Sequence, residues 1–213
     1  MKALVLGATG ATGQQLVQQL LQNPDYEQVL VVVRKASFKP EPKLTELVVT
    51  FDELQNYKEH FVGDVAFSCL GTTLKAAGSK EAQWLVDYEY QYEFASLCAA
   101  NQVSTFVLVS AVGAKADSAF FYNNLKGSLE DAVKKLLFTK TIIFQPAGLI
   151  RPNSDRMGEK VFIRLTKIIN AFGLLLKYKP VTTANLAQAM QNAVLKQPNG
   201  ISTIGLSAIY NLL

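Results

Sequence analysis

Lys2-Ala3-Leu4-Val5-Leu6-Gly7-Ala8-Thr9-Gly10-Ala11-Thr12-Gly13 is an apolar run of strand length that breaks at a glycine, with two more glycines at three-residue intervals. The residues after it place Leu16, Val17, Leu20 and Leu21 at helical spacing, so the stretch predicts a strand, a tight turn and a helix. Three glycines answer three physical needs: a sharp exit from the strand, a side-chain-free approach for a pyrophosphate, and close packing of helix on strand. The amides and positive dipole end of the helix favour an anion, which makes Gly7, Ala8, Thr9, Gly10, Ala11, Thr12 and Gly13 candidate cofactor-binding residues. A tight turn with no ligand uses the same spacing. What favours a nucleotide is position, since the turn heads an alternating strand and helix pattern.

Asn23-Pro24 ends the first helix, and Val29 to Val33 reads as a second strand buried on both faces. At its end, where an acidic residue would bind the ribose hydroxyls of NAD, stand Arg34 and Lys35. A guanidinium clamps a 2′-phosphate at two points, so this pair predicts NADP(H) in preference to NAD(H), against the alternative of a solvated basic pair. Pro40 and Pro42 mark a loop, Leu44 to Thr50 a third strand, and Asp52 to Phe61 a short helix. Asp52 is placed either to contact the adenine or to cap that helix. Asp64 to Leu70 reads as a fourth strand, and the turn after it makes Leu70, Gly71 and Thr72 further cofactor candidates, with Lys75 to Ser79 expected as a mobile loop above them.

With 213 residues, 49% hydrophobic and 18% charged, the chain can bury a full core as a single domain over 1–213. Cys69 and Cys98 have neither metal-site nor redox-motif spacing, so reduced core thiols, no metal and a cytoplasmic location are expected. The apolar run after Lys2 is too short for a signal peptide, and a net charge of +4 with few basic clusters argues against nucleic acid as a partner. His60, the one histidine, is assigned no catalytic role.

Lys80 to Asn101 is helical by pattern and carries Trp84, Tyr88, Tyr90, Tyr92 and Phe94. Such stripes are ordinarily core, and aromatics on more than one face make this helix the candidate surface for a homodimer. Thr105 to Ser110 reads as a fifth strand with a hydroxyl at its end. Twelve residues on, Tyr122 and Lys126 are one helical turn apart and share a face. A neighbouring ammonium favours the phenolate, making the phenol a better proton donor near neutrality than its ordinary pKa of ~10 allows. Ser110, Tyr122 and Lys126 are therefore the candidate catalytic residues.

Gly7-x-x-Gly10-x-x-Gly13, Ser110, Tyr122-x-x-x-Lys126 and Gln145-Pro146-Ala147-Gly148 together resemble the short-chain dehydrogenase/reductase superfamily in its atypical or extended branch. Cys69 to Thr73, Ser110 to Ala114 and Tyr122 to Gly127 look like the Tat-interacting-protein group within it. The resemblance implies hydride transfer between a nicotinamide and a small carbonyl or alcohol. Tyr122 would exchange the proton, Ser110 hydrogen-bond the substrate oxygen, and Lys126 hold the nicotinamide ribose and tune Tyr122. It also implies that some members serve as regulators or interaction partners, so a non-enzymatic NADP(H)-binding module is the alternative. Cys69-Leu70-Gly71-Thr72 departs from the Asn-Asn-Ala-Gly turn of the better-known branch, and contacts there do not carry over.

Thr141 to Phe144 reads as a sixth strand, after which Pro146 and Gly148 would turn the chain over the nicotinamide end as cofactor contacts. Val161 to Tyr178 is apolar but interrupted by Arg164, Lys167 and Gly173, so a small substrate-covering part within 149–181 is expected rather than a membrane span. Thr182 or Thr183 can cap a helix to Lys196, and a short last strand over Ile201 to Ile204 and a terminal helix follow. The whole predicts an α/β fold: a Rossmann-like, doubly wound parallel sheet of about seven strands with helices on both faces. The short C-terminal part leaves little material to hold a nucleotide-sugar, which disfavours an epimerase.

Overall fold

Ala3, Leu4, Val5 and Leu6 are completely buried, and strand β1 (Lys2–Leu6) that holds them lies at the middle of the sheet in the computed structural model, which describes residues 1–150 and 180–213. A strand covered on both faces has no solvent side to satisfy, which is why it reads as an unbroken aliphatic run. On one side β1 pairs in parallel with β2 (Gln28–Val33), which pairs with β3 (Leu44–Val48). On the other side it pairs with β4 (Val65–Ser68), followed outward by β5 (Thr105–Val109) and β6 (Lys140–Gln145). A separate parallel pair joins β7 (Leu149–Ile150) to β8 (Val181–Thr182), and β9 (Gly200–Gly205) closes the main sheet beside β6. The order is therefore β3-β2-β1-β4-β5-β6-β9, seven strands, all parallel. This is the expected Rossmann-like sheet.

The order reverses between β1 and β4. Chain leaving β1 goes to one side and chain leaving β4 to the other, so a crevice opens outside their carboxyl ends, where such sheets take ligands. Both the glycine turn and the Leu70–Thr73 turn fall at that crevice.

Helix α1 (Ala11–Gln22) covers one face, burying Leu16, Val17 and Leu20 against Ala3, Val5 and Val31. Each such side chain contributes about 1.5–3 kcal/mol by leaving water. The other face is covered by a 3-10 segment over Phe51–His60 and by two long helices reached through α2 (Leu74–Ala77) and α3 (Lys80–Trp84). These are α4 (Tyr90–Ala100) and α5 (Phe121–Lys134), where Phe94, Leu129 and Val133 meet Leu4, Leu6 and Phe106. Helix α6 (Thr183–Lys196) completes the first face beside α1, capped by Thr182, whose hydroxyl accepts from Asn185 N at 3.1 Å. Gln191 Nε2 donates to Gln19 Oε1 at 2.9 Å, tying the two helices.

Several local expectations change. The helix expected over Asp52 to Phe61 is instead a 3-10 segment over Phe51–His60, kinked where Glu53 and Tyr57 leave helical backbone angles. The terminal helix is likewise 3-10, over Leu206–Leu212. The loop expected at Lys75 to Ser79 is largely the helical turn α2, capped by Thr73, whose hydroxyl accepts from Ala76 N at 3.2 Å. The helix expected over Lys80 to Asn101 is interrupted by a π-helical turn at Leu85–Glu89. The apolar stretch from Val161 to Tyr178 lies outside the described residues, as does most of the expected substrate-covering part. Among the described residues no helix is long and apolar enough to cross a membrane.

Candidate active site

Gly7 leaves β1 with φ +78°, a left-handed conformation in which a side chain is strained, and a Cβ there would overlap the backbone of Cys69 and Leu70. Gly13 faces the turn itself, so close that a Cβ would overlap Gly7 O. Gly10 N donates to Gly7 O at 3.0 Å and Gln14 N to Gly10 O at 2.8 Å, which folds the loop directly into α1. Gly10 caps α1 without a side-chain bond, and no acidic side chain stands in the first turn. The first-turn amides therefore keep their capacity for an incoming anion. A cradle that a Cβ would fill, under an open helix end, suits a pyrophosphate. Ala8 is fully buried and packs into the core behind the turn.

Two cavities flank this cradle. The first, of about 460 Å3, lies past the end of β2 and is lined by Gly7, Thr9, Val32, Val33, Arg34, Lys35, Ser37, Phe51 and Leu70. Arg34 holds its guanidinium 5.7 Å from the centre of the Phe51 ring, so the cation at the strand end is pre-placed over an aromatic floor. Asp52 is not part of that lining. Its carboxylate accepts from Tyr90 Oη at 2.7 Å, and burial together with that bond pushes Tyr90 up to about 12.

The second cavity, of about 210 Å3, is where the distant candidates converge: Gly10, Ala11 and Thr12 from the turn, Cys69 to Thr73 after β4, Val109 and Ser110 at the end of β5, Tyr122 and Lys126 on α5, and Leu149. Leu70 borders both cavities, so they form one track along the carboxyl edge of the sheet. Pro146 and Gly148 line neither; their carbonyls accept from Val112 N at 3.1 Å and Val181 N at 3.0 Å and thereby fix the chain beside the site.

Around the catalytic candidates lies a buried polar network that sequence reasoning missed. Tyr122 is 42% exposed, whereas Ser110, Lys126, Glu130 and Asp87 are all buried. Ser110 Oγ donates to Glu130 Oε1, and Gln145 Nε2 donates to the same carboxylate at 2.8 and 3.1 Å. Burial pushes the Lys126 ammonium below its ordinary range, and the carboxylates of Asp87 and Glu130 push it back up. Asp87 sits in the π-helical turn. Burial raises its pKa, opposed by Lys126, by the 2.7 Å bond from Thr72 N and by Gln83 Nε2 at 3.4 Å. The turn also frees Asp87 O to accept from Gln91 Nε2 at 2.7 Å, and Ser68 Oγ donates to Gln91 Oε1 at 2.7 Å. Asp87 thus anchors the turn beneath the cofactor track to the helix behind it. Cys69, at the same edge, is pushed up to about 12 by burial despite the nearby Lys126. Among the described residues no group of three or more His, Cys, Asp or Glu is placed to hold a metal ion.

Comparison with known proteins agrees with this geometry. Residues 7–141 match the family described as NAD(P)H-binding. The protein FMP52-1, mitochondrial, of Scheffersomyces stipitis is 32% identical over 204 residues, covering 91% of this chain and 88% of that protein. The protein HTATIP2 of Rattus norvegicus is 37% identical over 160 residues, covering 73% of this chain and 66% of that one. Among solved structures, MoeE5 in complex with UDP-glucose and NAD superposes with a TM-score of 0.72 at 14% identity, covering 97% of this chain and 76% of that one. A UDP-glucose 4-epimerase from Thermotoga maritima gives 0.70 at 15% identity, covering 97% and 76%. At these identities the likeness is one of fold. The relatives named mitochondrial overturn the expected cytoplasmic location: two reduced thiols report a reducing setting, not an address. With its glycine cradle, its parallel sheet and the match over 7–141, the chain belongs to the NAD(P)H-binding family, with FMP52 and HTATIP2 among its relatives.

Proposed function

We propose that the protein is an NADP(H)-dependent oxidoreductase that moves a hydride between the nicotinamide and a small carbonyl or alcohol. The observation that carries this reading is the convergence of Ser110, Tyr122 and Lys126 on one cavity with Gly10, Ala11 and Thr12 of the cradle. Nucleotide binding alone does not require those three side chains. Gly7 to Gly13 would hold the pyrophosphate, Arg34 and Lys35 a 2′-phosphate, and Lys126 the ribose nearest the second cavity. When bound, the nicotinamide supplies or accepts the hydride. Tyr122 holds the proton that goes to the carbonyl oxygen, and its exposure lets water restore that proton. Burial pushes the Lys126 ammonium below its ordinary range, and Asp87 and Glu130, which face it, oppose that shift. Asp87 positions Gly71 and Thr72 through the Thr72 amide. Trp84, Tyr88 and Tyr92 form a ladder with centroid separations of 4.9 and 6.0 Å, and its outer face is where a homodimer would form.

The test is Tyr122→Phe. Turnover of small aldehydes and ketones with NADPH is expected to fall by at least a hundredfold, while NADPH affinity stays within about twofold of wild type. Unchanged turnover would remove Tyr122 from the chemistry. A non-enzymatic module is the second reading, favoured by the commitment of the Ser110 hydroxyl to Glu130; it predicts tight NADPH binding with no turnover by the wild type.

A further inference from the structure

Ser110 does not aim its hydrogen at the cavity. The hydroxyl donates to Glu130 Oε1 on α5, one turn beyond Lys126, and Ser110 and Glu130 are 5% and 3% exposed. The direction of this bond follows from the partners of the carboxylate. Gln145 Nε2 donates to both of its oxygens, at 2.8 and 3.1 Å, and Lys134 Nζ stands 3.6 Å from Oε2. The Gln145 amide nitrogen can only donate and Lys134 brings a cation, so both carboxylate oxygens serve as acceptors and the shared hydrogen belongs to Ser110. A hydroxyl has one hydrogen and two lone pairs, so what Ser110 presents to the cavity is lone pairs.

Resting on the reading of this cavity as the substrate end, we propose that Glu130 is a positioning residue that holds Ser110 as a hydrogen-bond acceptor. The site then selects a ligand whose oxygen carries its own hydrogen, an alcohol in preference to the matching ketone. A ketone oxygen against Ser110 sets acceptor against acceptor in a confined space, and its donor must come from another lining group such as Tyr122. An alcohol accepts from Tyr122 and donates to Ser110, which completes an ordered chain from Tyr122 through the ligand and Ser110 to Glu130. This assigns Glu130 a part in ligand selection, besides its effect on the charge of Lys126.

The probes are cyclohexanone and 1-methylcyclohexanol, with binding to the NADP+-loaded protein followed by ligand-observed NMR. Neither reacts with NADP+: the ketone has no hydride to give, and the tertiary alcohol has no carbinol hydrogen. One net hydrogen bond corresponds to about a three- to tenfold preference for the alcohol. Ser110→Ala removes the acceptor and is expected to cut the alcohol-to-ketone affinity ratio by at least that factor, with ketone affinity no lower than in the wild type. Glu130→Met frees the Ser110 hydrogen for the cavity and should move the ratio toward the ketone. An unchanged ratio in Ser110→Ala, or binding of neither probe to loaded protein, overturns the inference and leaves the cofactor reading standing. Failure of NADP+ itself to bind overturns both.

Discussion

Gly10 and Gly13 are three residues apart in one turn, and the same change to alanine is expected to act on them through different quantities. At Gly13 an added Cβ would stand 2.8 Å from Ala8 Cα and 2.9 Å from Gly7 C, and closer still to Gly7 O, all backbone atoms of the turn that cannot rotate away. Overpacking of this kind costs about 1–3 kcal/mol. For a chain of this size that lowers Tm by about 2–12 °C. At Gly10 φ is −75°, which alanine adopts freely, and the new Cβ would lie 3.3 Å from Gly7 O, a contact a small shift relieves. Gly10→Ala should therefore keep Tm within about 2 °C of wild type, yet its methyl would stand in the cavity where the pyrophosphate is expected and weaken NADPH at least tenfold. Differential scanning fluorimetry and NADPH titration on the two variants separate the effects. Equal loss of stability in both, or Gly13→Ala as stable as wild type, would refute the account of how the turn is built.

Asp87→Asn changes how stability responds to pH. The folded-state pKa of Asp87 is raised, chiefly by burial, so from the unfolded value near 3.8 upward the native state binds the extra proton and the wild type loses stability as pH climbs to the folded pKa. Asparagine has no such proton, so urea unfolding across pH 4 to 8 should show the variant gaining on wild type over that window; parallel curves would contradict the assignment. Cys69, half-buried at the edge of the second cavity with its thiol pushed up to about 12 from 9.0 by burial, should alkylate far more slowly than a free thiol at pH 8. Rapid labelling of native protein by iodoacetamide, located to Cys69 by mass spectrometry, would show the thiol to be open.

Much of the fold was legible because its signals are local. The aliphatic runs of β1 and β2, the glycine turn and the Asn23-Pro24 stop each lie within one short window, and each came out where expected. Tyr122 and Lys126 were legible as one face of a helix. Glu130, four residues further along that face, could have been found by extending the same spacing by one turn. Asp87 carried a weaker signal, one of four acids among the aromatics between Lys80 and Asn101. What made it visible was the π-helical turn that aims it at Thr72, and no residue pattern announces such a turn. Gln83, Gln91 and Gln145 join the network from three separate elements, so only the folded chain brings them together. Asp52 was legible only by its place after β3, as an adenine contact or a helix cap, while its bond from Tyr90, 38 residues on, appears only in the folded chain.

Titration of wild type and Arg34→Ala with NADPH and NADH, followed by nicotinamide fluorescence, tests the central claim most directly. A guanidinium clamping a 2′-phosphate contributes about 1.5–3 kcal/mol as a charge-assisted bond, so wild type should bind NADPH at least tenfold more tightly than NADH, and Arg34→Ala should lose most of that preference with NADH affinity unchanged. If neither nucleotide binds, the glycine turn is only a tight turn and the oxidoreductase reading falls with it.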